Sequence, residues 1–340
     1  MAHQIRKNDH LVLAGKSAWH GLGTVTEGAP NPFAALRLAR LEWDVLPSAS
    51  VSGIFNPGER DEFRVSTDTA QVLVRSDDKS VLGVVGPDYT PVQNLQLAEL
   101  AYALRDAGSD RGVEIESAGS LYGGRKVWFL IRAESIEMGG KGDTTVPYFM
   151  LTNAHDGTAS LQGLGTGTRV VCANTMRIAL GEAKDRIAFR HTSGIGSRVE
   201  EMAGIIRQWF SNVEKGQSVA ARLAAKPMTS AAIRELWVEV IQRLDGEIPA
   251  AQDVSNKWEE NRREKAINGL AHMAQVFDRE SQQYGANLWV AANAATNWVQ
   301  HVRSQYAIRK GDSTARAYAQ WNGATADDSA EVWKVATAAV

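Results

Sequence analysis

Length, composition and charge place the chain among ordinary globular proteins. It has 340 residues, of which 44% are hydrophobic and 22% are charged, and its formal net charge is −2. This balance excludes a disordered, collagenous or disulfide-stapled protein. A sequence pI near 6.4 also excludes a protein held to nucleic acid by bulk positive charge, so any such surface has to be a local patch.

Cysteine content and hydropathy predict the compartment. The single cysteine, Cys172, cannot form an intrachain disulfide and fits a reducing environment. Residues 1–10 lack the apolar core of a signal peptide, and no run approaches the ~20 apolar residues that span a bilayer. We therefore expect a cytoplasmic protein that has no membrane partner.

The first 190 residues or so have the pattern of an α+β domain. Asn31 and Pro32 predict the start of a short helix, Thr90 and Pro91 the start of a longer one, and Gly108 its end. A further short helix is expected over 173–180. Strands are predicted at residues 43–51, 71–75, 81–85, 113–117, 126–132, 146–151, 159–164, 168–172 and 186–190. This order favours an antiparallel sheet with a helix packed on one face.

The remaining residues are predicted to be mostly helical. Amphipathic stretches cover 198–223, 230–244, 257–284, 287–306 and 326–338. We therefore predict an α+β core domain over 1–192 and a helical domain over 193–340. Seven of the ten tryptophans lie beyond residue 200; we interpret them as helix-packing anchors, with a base-stacking platform as the alternative. The small, apolar stretch 287–294 suits close helix packing, within one chain or between chains.

Six short motifs together resemble one family, the phage/plasmid-like proteins that carry domain of unknown function 932. They are WHGLG at 19–23, GPDYTPVQN at 86–94, NAHDGT at 153–158, RVVCANT at 169–175, FRHT at 189–192 and GANLW at 285–289. The resemblance implies an origin in a mobile element and therefore a bacterial host cell. It implies no catalytic residue.

A more distant, fold-level similarity is to phage single-strand annealing proteins of the Red-beta, RecT and Erf types. Those proteins pair a bent antiparallel sheet with a long helix and hold single-stranded DNA in rings or filaments. The similarity implies single-stranded DNA as a partner, a homo-oligomer as the working form and no cofactor. The chain lacks a complete Gly-x-x-x-x-Gly-Lys-Thr/Ser phosphate loop, because Gly15-Lys16-Ser17 has His10 where that loop needs its first glycine; this agrees with annealing that needs no ATP.

A local excess of positive charge is the candidate nucleic-acid site. Between residues 157 and 190 the chain has five basic and two acidic residues. An arginine guanidinium can donate to two phosphate oxygens at once. Glycines at 163, 165 and 167 would let the backbone approach a ligand closely. The alternative interpretation of this segment is a solvated strand edge with turn glycines. The predicted binding residues are Arg169, Arg177, Lys184, Arg186 and Arg190, with Tyr89 as a candidate for base stacking.

A second polar cluster supports two alternatives. It comprises His155, Asp156, Cys172, Asn174 and His191. In the enzyme hypothesis Cys172 is a nucleophile with His155 or His191 as its base, but a lone cysteine after two valines is more often a core residue. His155-Asp156-Gly157 more often forms a turn than a metal site, so no metal is expected. The other alternative is a mobile-element protein that binds a host protein.

Overall fold

The predicted fold class is confirmed in a computed structural model of the chain. Antiparallel sheets carry helices in the N-terminal half, and the C-terminal half is mostly helical. The structure describes residues 9–15, 23–56, 58, 63–169, 175–176, 186–189, 199–303 and 324–340. No helix within these ranges combines the length and the hydropathy needed to cross a bilayer.

Strands predominate up to residue 189, and helices make up the described chain beyond it. The strands are β1 (Leu11–Ala14), β2 (Thr24–Thr26), β3 (Val45–Pro47), β4 (Val51–Phe55), β5 (Phe63–Thr67), β6 (Gln71–Arg75), β7 (Val81–Val85), β8 (Glu114–Leu121), β9 (Lys126–Arg132), β10 (Ile136–Glu137), β11 (Thr144–Ala154), β12 (Leu161–Arg169), β13 (Thr175–Met176) and β14 (Arg186–Phe189). The helices are α1 (Pro32–Leu38), α2 (Asn94–Ala107), α3 (Val199–Ala224), α4 (Ser230–Asp245), α5 (Lys257–Tyr284), α6 (Leu288–Trp298) and α7 (Ala324–Ala338). A π-helical turn, Val299–Arg303, continues α6.

The largest sheet runs in the order β13-β12-β11-β9-β8-β1-β2, with β10 added to β11 and β14 added to β12. Its described pairs are antiparallel, except that β1 runs parallel to β2. Buried and partly exposed residues alternate along β9 and β11. This alternation gives the sheet one covered face and one open face.

A smaller sheet, β3-β6-β7, stands beside the large one. The chain between β3 and β6 extends outward from this sheet as the separate hairpin β4-β5. Two hydrogen bonds between Ser48 and Val72 hold the base of this extension together. The hairpin is exposed along most of its length.

The start of α2 differs from the sequence prediction. Thr90 and Pro91 predict an earlier start, but the helix begins at Asn94 with Gln93 as N-cap and Gln96 closing a capping box. The Gln93 side chain also accepts from the backbone N–H of Val45 (2.8 Å), which fixes it in an extended conformation. The tertiary bond therefore moves the helix start three residues along the chain. The predicted start of α1 and the predicted end of α2 are confirmed.

The first hydrophobic core lies between the covered face of the large sheet and helices α1, α2 and the first half of α3. The sheet contributes Phe129, Ile131 and Phe149, each at most 1% exposed. Trp209 of α3 packs against the Phe149 ring, with centroids 5.6 Å apart. Burial of these aromatic rings together with the aliphatic side chains around them stabilises the half.

The second core is built around α6, of which every residue is buried. The small residues at 291–295 let α4, α5 and α7 approach this helix closely. Trp289 donates through its indole N–H to the buried carboxylate of Asp143, and its ring occupies the space that a side chain at Gly139 would need. The stretch 287–294 thus packs within its own chain.

The tryptophans of the helical half mostly confirm the packing interpretation. The buried ones are Trp209, Trp237, Trp289, Trp298 and Trp333. Trp258 is 65% exposed, and Trp321 lies outside the described residues.

Helix α3 joins the two halves. Trp209 and Phe210 belong to the first core, whereas Ala220 and Leu223 belong to the second. The predicted boundary at 192/193 falls within residues 190–198, which are outside the described part of the chain. The division into domains 1–192 and 193–340 stays a prediction.

Candidate nucleic-acid interface

The predicted basic groove is described only in part. Arg169 ends β12 and pairs with Thr145 of β11, while Arg186 begins β14 and pairs with Leu164 of β12. The other predicted cations lie outside the described residues: Arg177, Lys184 and Arg190. Their assembly into a phosphate-binding groove stays a prediction.

Most of the cysteine hypothesis also falls outside the described residues, namely Cys172, Asn174 and His191. One expectation next to them is wrong. Residues 175–176 form a strand paired with Gly167 and Thr168, where the sequence predicts a helix over 173–180. The described backbone therefore gives no sign of the helix N-terminus that would lower the pKa of the thiol.

Two glycines of β12, Gly163 and Gly165, serve packing. A Cβ at Gly163 would lie 2.6 Å from the ring of Phe149, and one at Gly165 would lie 2.6 Å from Trp209 Cδ1. These distances are well below an ordinary carbon–carbon contact of ~3.5–4.0 Å. At these two positions the space above the backbone is filled by aromatic rings, and it is not available to a ligand.

His155 is fully buried, and both of its ring nitrogens have partners. Its Nε2 lies 2.9 Å from Asn94 Oδ1. Because Asn94 Nδ2 donates to the carbonyls of Leu41 and Trp43, Oδ1 is the acceptor and His155 Nε2 donates. His155 Nδ1 then accepts a long bond (3.4 Å) from Asn153 Nδ2. The network ties the end of β11 to the start of α2, so the contacts favour a structural role for His155.

The residues around His155 form the turn that the sequence predicts. Asp156 Oδ1 accepts from the backbone N–H (3.0 Å) and the hydroxyl (2.5 Å) of Thr158, and Gly157 has a φ of +74°. Tyr89 packs beside this turn and donates through its hydroxyl to the Ala154 carbonyl (3.2 Å). Burial, helped by the charge of Asp156, raises the pKa of Tyr89. Base stacking by Tyr89 stays a prediction.

The open face of the large sheet carries an aromatic and aliphatic strip that we call the platform: Trp128, Leu130, Tyr148 and Met150. In the strand register Leu130 pairs with Met150, and Trp128 and Tyr148 flank that pair on the same face. All four side chains are partly exposed. Among the described residues the helices α1, α2 and α3 pack on the opposite face. The platform is therefore an apolar surface on a rigid sheet.

The ring of Trp128 lies across strand β8. A Cβ on Gly119 would come within 2.7 Å of Trp128 Cη2, and the indole N–H points to Ser117 Oγ at 3.4 Å. One side of the ring is thus supported by backbone. A flat, partly exposed indole fixed in this way can stack with a base.

Charged groups border the platform. Arg132 forms ion pairs with Glu114 (2.7 Å) and Glu116 (3.0 Å), so its guanidinium already has two carboxylate partners. Burial raises the pKa of Glu116 above its usual value, although Arg132 opposes that shift. At the other end the Lys126 ammonium lies 5.7 Å from the ring of Tyr122. The platform itself thus contributes stacking surface more than positive charge.

The strand register relates the platform to the two described arginine positions. Arg186 pairs with Leu164, which pairs with Met150 of the platform. Arg169 pairs with Thr145, a buried position of β11. Of the two arginine positions, only that of Arg186 is aligned across the strands with a residue of the platform.

Sequence reasoning missed the platform. The usual sign of a half-exposed strand is alternation of polar and apolar residues, but Trp128 and Leu130 alternate with Val127, Phe129 and Ile131, so both faces of β9 are apolar. The signal available in the sequence was that the residues on the outward face of β9 are apolar, although its inward face is apolar and covered as well.

The described residues hold no group of three His, Cys, Asp or Glu side chains that could bind a metal ion. No curated protein and no solved structure matches the chain. One family profile, described as Domain of unknown function (DUF932), matches residues 81–321, more than half of the chain. The matched range begins at β7 and includes the platform, α3 and α6, so it extends through both halves. The chain therefore belongs to the DUF932 family.

Proposed function

We propose that the protein binds single-stranded DNA on the open face of its large sheet and promotes annealing without ATP, in the cytoplasm of a bacterial host. The observation that supports this most is the platform, because aromatic rings on a sheet stack with any base and so suit binding that does not depend on sequence.

The phosphate contacts are proposed to come from the predicted basic residues, of which Arg186 lies on a described strand near the platform. Strand β12 lies next to β11, and β14 lies next to β12, so Arg186 is two strands away from Tyr148 and Met150. A strand spacing of roughly 4.8 Å puts that separation at about 10 Å. A base on the platform and a phosphate near β14 would then be within one nucleotide of each other. The acidic pI does not oppose this, because charges act locally within ~10 Å at ordinary salt.

Fluorescence anisotropy with labelled oligo(dT) tests the proposal. We expect binding at ~50 mM salt that weakens steeply by ~200 mM. Trp128→Leu should weaken binding about 5–150-fold, and Trp128→Phe should retain most of it, because one stacked base contributes ~1–3 kcal/mol. Trp258→Leu removes an exposed indole on α5 and is the matched control.

The charge contribution is tested separately. Arg186→Ala should lower the affinity and reduce the salt slope by about one, whereas Arg243→Ala, at an exposed arginine bound to Glu239 on α4, should change neither. Equal binding by Trp128→Leu and the wild type, or no binding of oligo(dT) at low salt, would exclude the platform as a DNA site. Annealing of complementary strands without ATP is then measured on the same variants.

A further inference from the structure

The small sheet and its extension each carry exposed apolar surface. The first of these surfaces is the hairpin β4-β5, which we call the arm. Phe55 and Phe63 are cross-strand partners with stacked rings (5.2 Å between centroids, 13° between planes), and Val65 lies on the same side because it pairs with Gly53. All three residues are about half exposed. An isolated two-stranded hairpin is marginally stable in water, so the arm gains from a partner.

The second surface is the outward side of the sheet β3-β6-β7, which we call the aliphatic face. Its residues are in register across the three strands: Leu46 pairs with Val74, Val74 with Val81, and Val72 with Val84. Leu46, Val81 and Val84 are between 41% and 60% exposed. The opposite side of the same sheet is buried, with Leu73 and Leu82 almost inaccessible. A strand that is apolar on both sides indicates that both sides are covered in the working form.

We infer that the arm of one copy packs on the aliphatic face of a second copy, and that the exchange is reciprocal in a two-fold dimer. Among the described residues of one copy the two surfaces lie apart, because the arm leads away from the strands that carry the face and is held at its base by Ser48 and Val72. The surfaces match in chemistry, since one offers aromatic rings and the other branched aliphatic side chains.

The areas favour reciprocal exchange over a single contact. The exposed parts of the arm and of the face each amount to accessible area on the order of 300 Å². One arm on one face would bury only about 600 Å² in total, which is in the range of weak contacts. Two such contacts related by a two-fold axis bury about 1,200 Å², the lower end of stable interfaces. This inference is independent of the proposed DNA binding, because assembly is measured without nucleic acid.

Sedimentation velocity of the full chain over a range of concentrations tests the inference. We expect a monomer–dimer equilibrium in the wild type. Phe63→Ser in the arm and Val84→Lys in the face should each raise the dissociation constant at least about tenfold. Ile267→Ser, at an exposed apolar residue on α5, is the matched control and should leave the constant unchanged. Circular dichroism melts establish that each variant is folded; Leu46→Lys replaces Val84→Lys if that variant melts early.

Mixing the two variants distinguishes arm-on-face contact from other dimers. A mixed dimer has one intact arm on one intact face, so a 1:1 mixture of the Phe63→Ser and Val84→Lys chains should dimerise more tightly than either chain alone. If the arms met each other, or the faces did, mixing would restore nothing, and the inference would be overturned. A wild type that stays monomeric at all concentrations, or a dimer that both substitutions leave intact, would also overturn it.

Discussion

Replacement of Gly165 by alanine should destabilise the fold by about 2 kcal/mol through a clash with Trp209. The new Cβ would lie 2.6 Å from Cδ1 and 3.0 Å from Nε1 of that indole, so one of the two groups has to move by roughly 1 Å to reach ordinary contact. Trp209 has little freedom to move, because it is 5% exposed and lies between Phe149 and Phe210, with ring centroids at 5.6 and 4.8 Å. Overpacking of this kind costs ~1–3 kcal/mol.

The assay for this prediction is urea denaturation followed by circular dichroism, with thermal melts as a second measurement. A loss of 2 kcal/mol should lower Tm by about 3 °C. Gly86→Ala is the control, since a Cβ there meets nothing within 4 Å, and it should leave the midpoint near that of the wild type. The double variant Gly165→Ala/Trp209→Leu should be more stable than the sum of the single effects predicts. A Gly165→Ala chain with an unchanged midpoint would refute the packing explanation of this glycine.

Two further predictions concern polar groups of the first core. Asn94→Ala should lower the free energy of unfolding by about 2–4 kcal/mol, because it leaves the buried His155 Nε2 and two carbonyls without their partner. Urea denaturation measures this loss, and a loss below ~1 kcal/mol would contradict the proposed role of the hydrogen-bond network. The second concerns Asp77, whose pKa is lowered chiefly by its paired hydrogen bonds from the Arg75 guanidinium. The stabilisation is therefore present above the ordinary aspartate pKa of about 4 and is lost as pH falls below it. Asp77→Asn should flatten the loss of stability below about pH 4, by less than ~1 kcal/mol because the carboxylate is half exposed; an identical acid limb in both chains would contradict this.

Elements with strong local signals were predicted closely from the sequence. The bounds of β6, β7, β9 and α5 agree with the structure because each is a short apolar run or an amphipathic stretch limited by turn or capping residues. Asn31 caps α1 as expected, with its Oδ1 accepting from the N–H of Ala34 at 2.8 Å. Such signals lie within a few residues of the element they define, so no knowledge of the fold is needed to interpret them.

The start of α2 shows where local signals fail. Thr90-Pro91 is a good capping pair by composition, but Gln93 bonds to Val45, which is 48 residues away. That contact requires residues 92–93 to stay extended. A helix start chosen by a long-range bond cannot be found in the residues around it.

Strand β12 shows the same limitation more strongly. Its glycines suggest two short strands, residues 159–164 and 168–172, and a close approach to a ligand, whereas β12 is a single strand from Leu161 to Arg169. The reason for Gly165 is Trp209, which is 44 residues further along the chain. Composition indicated correctly that something approaches this backbone closely, but only the tertiary structure shows that it is the chain's own indole.

The distribution of exposed apolar residues assigns different tasks to the two halves. In the helical half Trp237, Trp289, Trp298 and Trp333 pack in the core around α6, whose whole circumference is buried. Trp209 of α3 packs in the first core, so the helical half supports the fold through α3. In the sheet half the platform, the arm and the aliphatic face remain partly or largely open, although the platform and the aliphatic face lie on strands whose other side is already covered. A sequence under selection for solubility alone would place polar residues at such positions. Their apolar character therefore points to ligands on the sheets, and the oligo(dT) and sedimentation variants separate these two surfaces from each other.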